Sequence, residues 1–165
     1  MFQSTMMNNA SISAITFALK LLGMRNHSHK ELEQKLRKKG YPSEEIESVL
    51  NTLTTRGLLN DQTFGHDLIR SRSRRKPAGT MKMSMELRKK GVSEAVINEL
   101  LQEYDSTSLC HQAAEKKIHT LRGATENEKR KKLEIFLRNR GFGWQEIQGV
   151  LKRFFDVNDD YNITD

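Results

Sequence analysis

One cysteine among 165 residues is too few for a disulfide and too few for a thiolate metal cluster. Aromatic residues make up 7% of the chain and hydrophobic residues 36%, so any core it builds is thin. No apolar run approaches the roughly 20 residues that cross a bilayer. The first thirteen residues carry no charged side chain and hold no apolar core of a secretory signal. No segment alternates apolar and polar residues as a half-buried strand does. Phosphate loops of the G-x-x-x-x-G-K-[ST] kind, a G-x-G-x-x-G after a strand, and an H-E-x-x-H pair are all missing. Cys110 and His111 are neighbours whose side chains point about 100° apart on a helix, so the thiol reads as a partly buried one. His27 and His29 lack a third metal ligand. Together these absences predict a protein that is not an enzyme, takes no cofactor, metal or small-molecule substrate, and has no membrane partner. A lone cysteine with a basic surface suits the cytoplasm, and nothing calls for more than a monomer.

What the sequence does have is repetition. Leu-Arg-x-x-Gly followed by an apolar residue occurs as Leu36-Arg37-Lys38-Lys39-Gly40-Tyr41, as Leu87-Arg88-Lys89-Lys90-Gly91-Val92 and as Leu137-Arg138-Asn139-Arg140-Gly141-Phe142. The glycines stand 51 and 50 residues apart, and each is followed at constant offsets by an isoleucine (Ile46, Ile97, Ile147) and a leucine (Leu50, Leu101, Leu151). Physically the phrase is a Schellman ending: glycine takes the left-handed position and the next apolar residue folds back on the leucine. Ile46, Val49, Leu50 and Leu53 then mark one face of a further helix, as do Ile97, Leu100, Leu101 and Tyr104, and Ile147, Val150, Leu151 and Phe154. Ser43 and Ser93 are the expected N-caps of the first two of these helices. Ser28 with Glu31, and Thr125 with Glu128, form capping boxes before the helices that end in the phrase. One more helix fits upstream of each pair: Ile15, Ala18, Leu19 and Leu22 in the first, Phe64, Leu68 and Ile69 after an Asp61 cap in the second, and Leu109, Ala113, Ala114, Ile118 and Leu121 in the third.

The expected fold is therefore all-α: three tandem three-helix repeats with a period of about 50 residues, forming an elongated, curved array. The predicted organisation is a flexible N-terminal tail over 1–11, repeats over 12–60, 61–106 and 107–157, and an acidic C-terminal tail over 158–165.

A net charge of +7 and a pI near 9.6 favour an anionic partner. The charge is concentrated. From Arg70 to Lys90 nine basic residues (Arg70, Arg72, Arg74, Arg75, Lys76, Lys82, Arg88, Lys89, Lys90) face one acid, Glu86. Pro77, Ala78 and Gly79 break that stretch, so it is expected to present a basic loop flanked by basic helix ends. Lys129, Arg130, Lys131 and Lys132 form a second concentration. The phrase itself contributes Arg37, Lys38, Lys39, Arg138 and Arg140, where positive charge also opposes the negative end of a helix dipole. Capping and ligand binding both account for these tracts. Lys and Arg on such surfaces neutralise phosphates without reading sequence.

Further stretches carry a resemblance: Leu21 to Leu32, Gly57-Leu58-Leu59-Asn60-Asp61-x-x-Phe64, Lys76-Pro77-x-Gly79 before Glu86-Leu87-x-x-Lys90-Gly91, and Phe136-Leu137-x-x-Arg140-Gly141-Phe142. In this order, from about residue 12 to 157, the chain resembles the bacterial regulatory RecX family. It departs from the family pattern at Gly65, where alanine is usual, and at Gly23-Met24, where Leu-Ala is usual; both read as packing changes. The resemblance implies a non-enzymatic modulator of the RecA recombinase that binds the RecA filament on single-stranded DNA and limits its extension, ATP hydrolysis and strand exchange in DNA repair and the SOS response. It also implies binding to single-stranded and to double-stranded DNA, and the basic residues named above are the expected contacts. The alternative is a sequence-independent nucleic-acid-binding helical protein that acts without RecA. The helices after Gly40 and Gly91 open on Glu44-Glu45 and Glu94, which repel a phosphate backbone, so only Trp144-Gln145 suits a reader helix.

Overall fold

Three helices end where the repeated phrase ends, and by the geometry a left-handed glycine imposes. Gly40, Gly91 and Gly141 have φ of 96°, 85° and 78°. The amides of Tyr41, Val92 and Phe142 reach back to the carbonyls of Leu36, Leu87 and Leu137 at 3.4, 3.2 and 3.3 Å, and each glycine amide reaches the carbonyl of the arginine in its phrase. These are Schellman motifs, which satisfy carbonyls a helix end would otherwise leave bare. Gly57 closes a fourth helix in the same way, with φ 69° and the Leu58 amide on the Leu53 carbonyl at 2.9 Å.

The computed structural model describes residues 12–122 and 125–156; the two predicted tails, 1–11 and 158–165, lie outside them. The described residues form helices α1 (Ala14–Met24), α2 (His29–Lys39), α3 (Ser43–Thr55), α4 (Asp61–Arg75), α5 (Thr80–Lys89), α6 (Glu94–Gln102), α7 (Ser106–Ile118), α8 (Glu126–Asn139) and α9 (Trp144–Phe155), with no strand among them. The fold is all-helical as expected. No helix among the described residues is long and apolar enough to cross a membrane.

Contacts divide the chain into two compact units, Met1–Asp61 and Gln62–Asp165. In the first, α1, α2 and α3 enclose Ala14, Ala18, Leu32, Leu36, Ile46, Val49, Leu50, Leu53 and Leu59. The second holds two apolar clusters. One gathers Phe64, Met83, Leu87, Val92, Ile97 and Leu100 from α4 to α6, and the other gathers Cys110, Ala113, Ala114, Leu133, Leu137, Phe142, Ile147, Val150 and Leu151 from α7 to α9. Equivalent positions recur in all three. Leu36, Leu87 and Leu137 are fully buried, and so are Leu32, Met83 and Leu133 four residues earlier. Each such side chain contributes roughly 1.5–3 kcal/mol by burial, and truncating one to alanine costs about 2–5 kcal/mol. With cores of six to nine buried residues, one such loss is a large fraction of what a domain has.

Capping followed the sequence in part. Ser28, Ser93 and Thr125 accept the amides of Glu31, Val96 and Glu128, and Glu128 completes the capping box on the Thr125 amide at 2.9 Å. Ser43 does not cap: α3 begins on it, with Pro42 in the N-cap position and no side-chain cap. Proline's fixed φ and missing amide suit a helix start, so the serine is displaced one residue inward. Asp61 opens α4, and its carboxylate accepts the His29 amide at 2.8 Å, capping the start of α2. Gly65 is indeed a packing substitution, since an added Cβ would run into the end of the Leu100 side chain. Gly23 and Met24 are exposed, and nothing lies near Gly23 for a Cβ to meet, so that departure from the family pattern is not one of packing.

His27 is 3% exposed, with Nδ1 2.9 Å from the Arg25 carbonyl. Burial lowers its pKa below 6.5, Arg25 and Lys35 push the same way, and the carbonyl and Glu31 oppose them. The unfolded chain takes up this proton below 6.5 while the native chain does not, so stability falls as pH drops from 6.5 toward the native value and levels off below it. Asp105, Glu94 and Glu128 have lowered carboxylate pKa values and lose their contribution only at more acidic pH. The urea midpoint should therefore fall between about pH 7.5 and about pH 5.5, and His27→Gln should remove most of that slope.

Candidate functional site

Pro77, Ala78 and Gly79 break the chain between α4 and α5, but they do not present a loop: all three are buried. The C-terminal end of α8 docks onto them. The Gly79 amide donates to the Arg140 carbonyl at 2.9 Å, the Arg140 guanidinium donates to the Pro77 carbonyl at 3.2 Å, and the Lys82 ammonium donates to the Asn139 carbonyl at 3.0 Å. Behind the break the Tyr104 hydroxyl donates to the Ala78 carbonyl at 2.6 Å. Burial raises the pKa of that hydroxyl. The last carbonyls of α8 thus find donors on α5 and just before it, with a cation at the negative helix end. The expected basic loop is a seam because backbone groups in a Pro-Ala-Gly turn need partners, and α8 supplies them.

Beside the seam runs an open groove of about 540 Å3. One wall is α5, through Met81, Lys82, Met85, Glu86 and Lys89; the other is the end of α8, through Arg138, Asn139, Arg140 and Gly141. Arg72, Lys76 and Ala78 complete the lining. Six cationic side chains and one carboxylate line it. Glu86 is already neutralised by Arg72, whose Nε lies 2.7 Å away.

Ion pairing separates the candidate cations. Arg37 pairs with Glu33, Arg70 with Asp67, Arg88 with Glu94, Arg138 with Glu134, Lys129 with Glu126 at 3.0 Å and Arg130 with Asp156 at 2.8 Å. Hydrogen bonding to Glu94 raises the Arg88 pKa, and Arg88 holds Glu94 below its ordinary value. Lys39 lies 5.9 Å from the centre of the Phe17 ring. Arg140 stacks on Phe136 at 4.9 Å; burial lowers its pKa, though a guanidinium stays charged. Lys90 is half-buried at the end of α5. Among the described residues Lys38, Arg74, Arg75, Lys76, Lys82, Lys89 and Lys131 have no carboxylate in ion-pair contact, while Lys132 is felt by Glu128. Exposed pairs are worth about 0–1 kcal/mol and give way to a phosphate, whereas unpaired cations need no exchange. Lys76, Lys82 and Lys89 meet in the groove, and Arg74 and Arg75 lie just before it in the chain. Lys129 to Lys132 lie toward the opposite end of α8, about 12 Å from the groove at 1.5 Å per residue. Arg37, Lys38 and Lys39 belong to the other unit.

The charge pattern of the sequence does not single out Met81 and Met85 as site residues. They are 70% and 60% exposed, while Met83 and Leu87 on the opposite side of α5 are fully buried. The signal was present: Met81, Met85 and Lys89 stand at i, i+4 and i+8, on a face separate from the core stripe. Cys110 is fully buried and its thiol is pushed up to about 12, which leaves no thiolate at neutral pH. No three His, Cys, Asp or Glu side chains among the described residues are placed to hold a metal.

Comparison with known proteins gives one consistent result. Family models described as RecX, first three-helix domain, and RecX, second three-helix domain, match residues 14–53 and 60–101. A regulatory protein RecX from Pelodictyon phaeoclathratiforme is 58% identical over 147 residues, covering 89% of this chain and 92% of that protein. Another from Chlorobium limicola is 45% identical over 152 residues, covering 92% and 96%. In three dimensions the chain is similar to the crystal structure of RecX from Lactobacillus salivarius, with a TM-score of 0.74 at 22% identity over 85% of this chain and 93% of that one.

The seam makes a specific demand. A Cβ at Gly79 would overlap the backbone of Gly141, whereas one at Gly149, on the exposed side of α9, would meet nothing. Gly79→Ala should destabilise the chain by about 1–3 kcal/mol through forced separation of the two walls. Gly149→Ala should stabilise it by about 0.5–1 kcal/mol as a better helix former. Thermal unfolding of the two variants beside the parent reads both.

Proposed function

This chain belongs to the RecX family of regulatory proteins, and on that premise we propose that it regulates the RecA recombinase by binding the RecA–DNA filament and restraining its activity in DNA repair and recombination during the SOS response. It acts as a binding protein, in the cytoplasm, as a monomer, and without a cofactor. The observation that carries this reading is the groove between α5 and the end of α8, where lysines without carboxylate partners gather beside a seam that holds them in place. Such a surface suits phosphodiesters or an acidic protein face, and a nucleoprotein filament offers both.

The three helix triplets fit a reading as tandem repeats over 12–60, 61–106 and 107–157, since equivalent leucines are buried in each and each contains a helix closed by the same Schellman ending. Recurring basic residues at those endings would meet a partner that itself repeats.

A second reading, sequence-independent nucleic-acid binding without RecA, draws on Trp144. It is 73% exposed at the first position of α9, so it is not a core residue and is open to a partner. Salt titration separates the readings. Binding to bare single strands and to recombinase-coated strands should both weaken with salt, but only a filament regulator favours the coated strand.

The direct test follows ATP hydrolysis by an assembled RecA filament while the protein is added well below filament stoichiometry; hydrolysis should slow. Arg74→Glu, Arg75→Glu and Lys76→Glu together should raise the concentration needed by about tenfold or more and lower the salt slope by about three, with helix content unchanged. Arg72 is left intact because its reversal would oppose Glu86 and disturb the fold. Unslowed hydrolysis by the parent protein would refute the proposal.

A further inference from the structure

We propose that the groove beside α5 is a base-binding site for single-stranded nucleic acid, in which Met81 and Met85 seat unstacked bases while Lys76 and Lys89 hold the flanking phosphates. This rests on the reading of the groove as a nucleic-acid contact and adds what part of the strand it takes.

A surface built only to attract a polyanion needs no apolar floor. This one has two of the largest exposed apolar side chains of its unit, 70% and 60% exposed, on the helix wall that faces the groove. They are not spill-over from the core, because α5 buries Met83 and Leu87 completely on its other side. A thioether is polarisable, flexible and favourable against an aromatic face, and every base has such a face. Four residues of helix separate the two methionines by about 6 Å, more than the roughly 3.4 Å between stacked bases, so bases seated on both have left their stack. A duplex keeps its base faces covered. Lys89 continues the same stripe one turn further on, about 12 Å from Met81, and Lys76 also lines the groove. Neither lysine has a carboxylate partner among the described residues, so neither must leave one to meet a phosphate. An acidic protein segment would satisfy the lysines but meets the methionines only where it happens to carry an aromatic side chain, whereas every nucleotide brings a base face.

The test uses the full chain and three fluorescent probes of equal length, about 20 nucleotides: a mixed-sequence single strand, an abasic strand with the same phosphodiesters, and a duplex. The base-bearing single strand should bind tightest. Met81→Ser with Met85→Ser should weaken that strand by about two- to tenfold for each methionine, leaving the abasic strand and the salt slope unaffected. Lys76→Glu with Lys89→Glu should weaken both strands and lower the slope by about two. Because all four side chains are exposed or at the groove rim, helix content should stay native. Equal binding of base-bearing and abasic strands, equal loss on both in the methionine variant, or tighter binding of duplex would overturn the site. If base-dependent binding holds while recombinase hydrolysis is unslowed, the site stands and filament regulation falls. If hydrolysis is slowed equally by parent and methionine variant and strands bind without regard to bases, regulation stands and the site falls, with an acidic protein face as the occupant.

Discussion

The Gly79 amide reaches the Arg140 carbonyl at 2.9 Å because neither Gly79 nor Gly141 carries a side chain at the point of closest approach. That backbone contact holds the end of α8 against the start of α5. Arg140 and Lys82 then close it from either side, each donating to a carbonyl of the opposite partner. Their positive charges lie beside a helix terminus that carries partial negative charge, so the seam tolerates two cations where an exposed surface would gain little from them. The groove walls are consequently set by backbone geometry rather than by long side chains packing on one another. Glycine 141 therefore has two tasks, a left-handed helix ending and a surface flat enough for α5 to approach.

Where charge matters depends on pairing more than on count. A net +7 says that the chain attracts anions and nothing about where. Pairs three or four residues apart, such as Glu33 with Arg37, Asp67 with Arg70 and Glu134 with Arg138, are readable from helical spacing and remove those arginines from the strongest candidates. Pairs between helices, Arg72 with Glu86 and Arg130 with Asp156, are not readable, because they depend on which helices become neighbours. Apart from Lys38 and Lys131, what remains is a short set of lysines and arginines near one seam, much narrower than the basic stretch that defines it in sequence.

The same division between local and distant information explains how far the fold could be read. A Schellman ending is decided within six residues, so three of them were legible as a phrase, and the stripes of Ile46, Ile97 and Ile147 followed from 3.6-residue spacing. N-caps were less secure: Ser43 yielded its place to Pro42, and Asp61 turned to a helix that starts 32 residues earlier, since a carboxylate caps whichever helix start lies nearest in space. The seam was illegible because Gly79 and Arg140 are 61 residues apart and nothing in either neighbourhood names the other. Pro77-Ala78-Gly79 looked like a surface break for sound reasons, and burial by α8 reversed it. Met81 and Met85 fell between the two cases, visible as a periodic stripe yet unassignable until Met83 and Leu87 were seen to fill the core without them.

Thin cores and an exposed methionine pair belong to one economy of apolar side chains. The apolar core of each triplet gathers only six to nine buried side chains, so an apolar residue left outside is a notable departure. An aromatic residue in place of either methionine would offer a larger platform but a rigid one, with fewer rotamers to fit bases of different size. Flexible thioethers flanked by lysines on long stems would, as proposed, adapt to whatever base arrives and read none of them. On the proposed reading, a regulator that acts wherever its filament forms would need that indifference to sequence, and the groove would obtain it from side-chain chemistry while the glycine seam keeps its walls fixed.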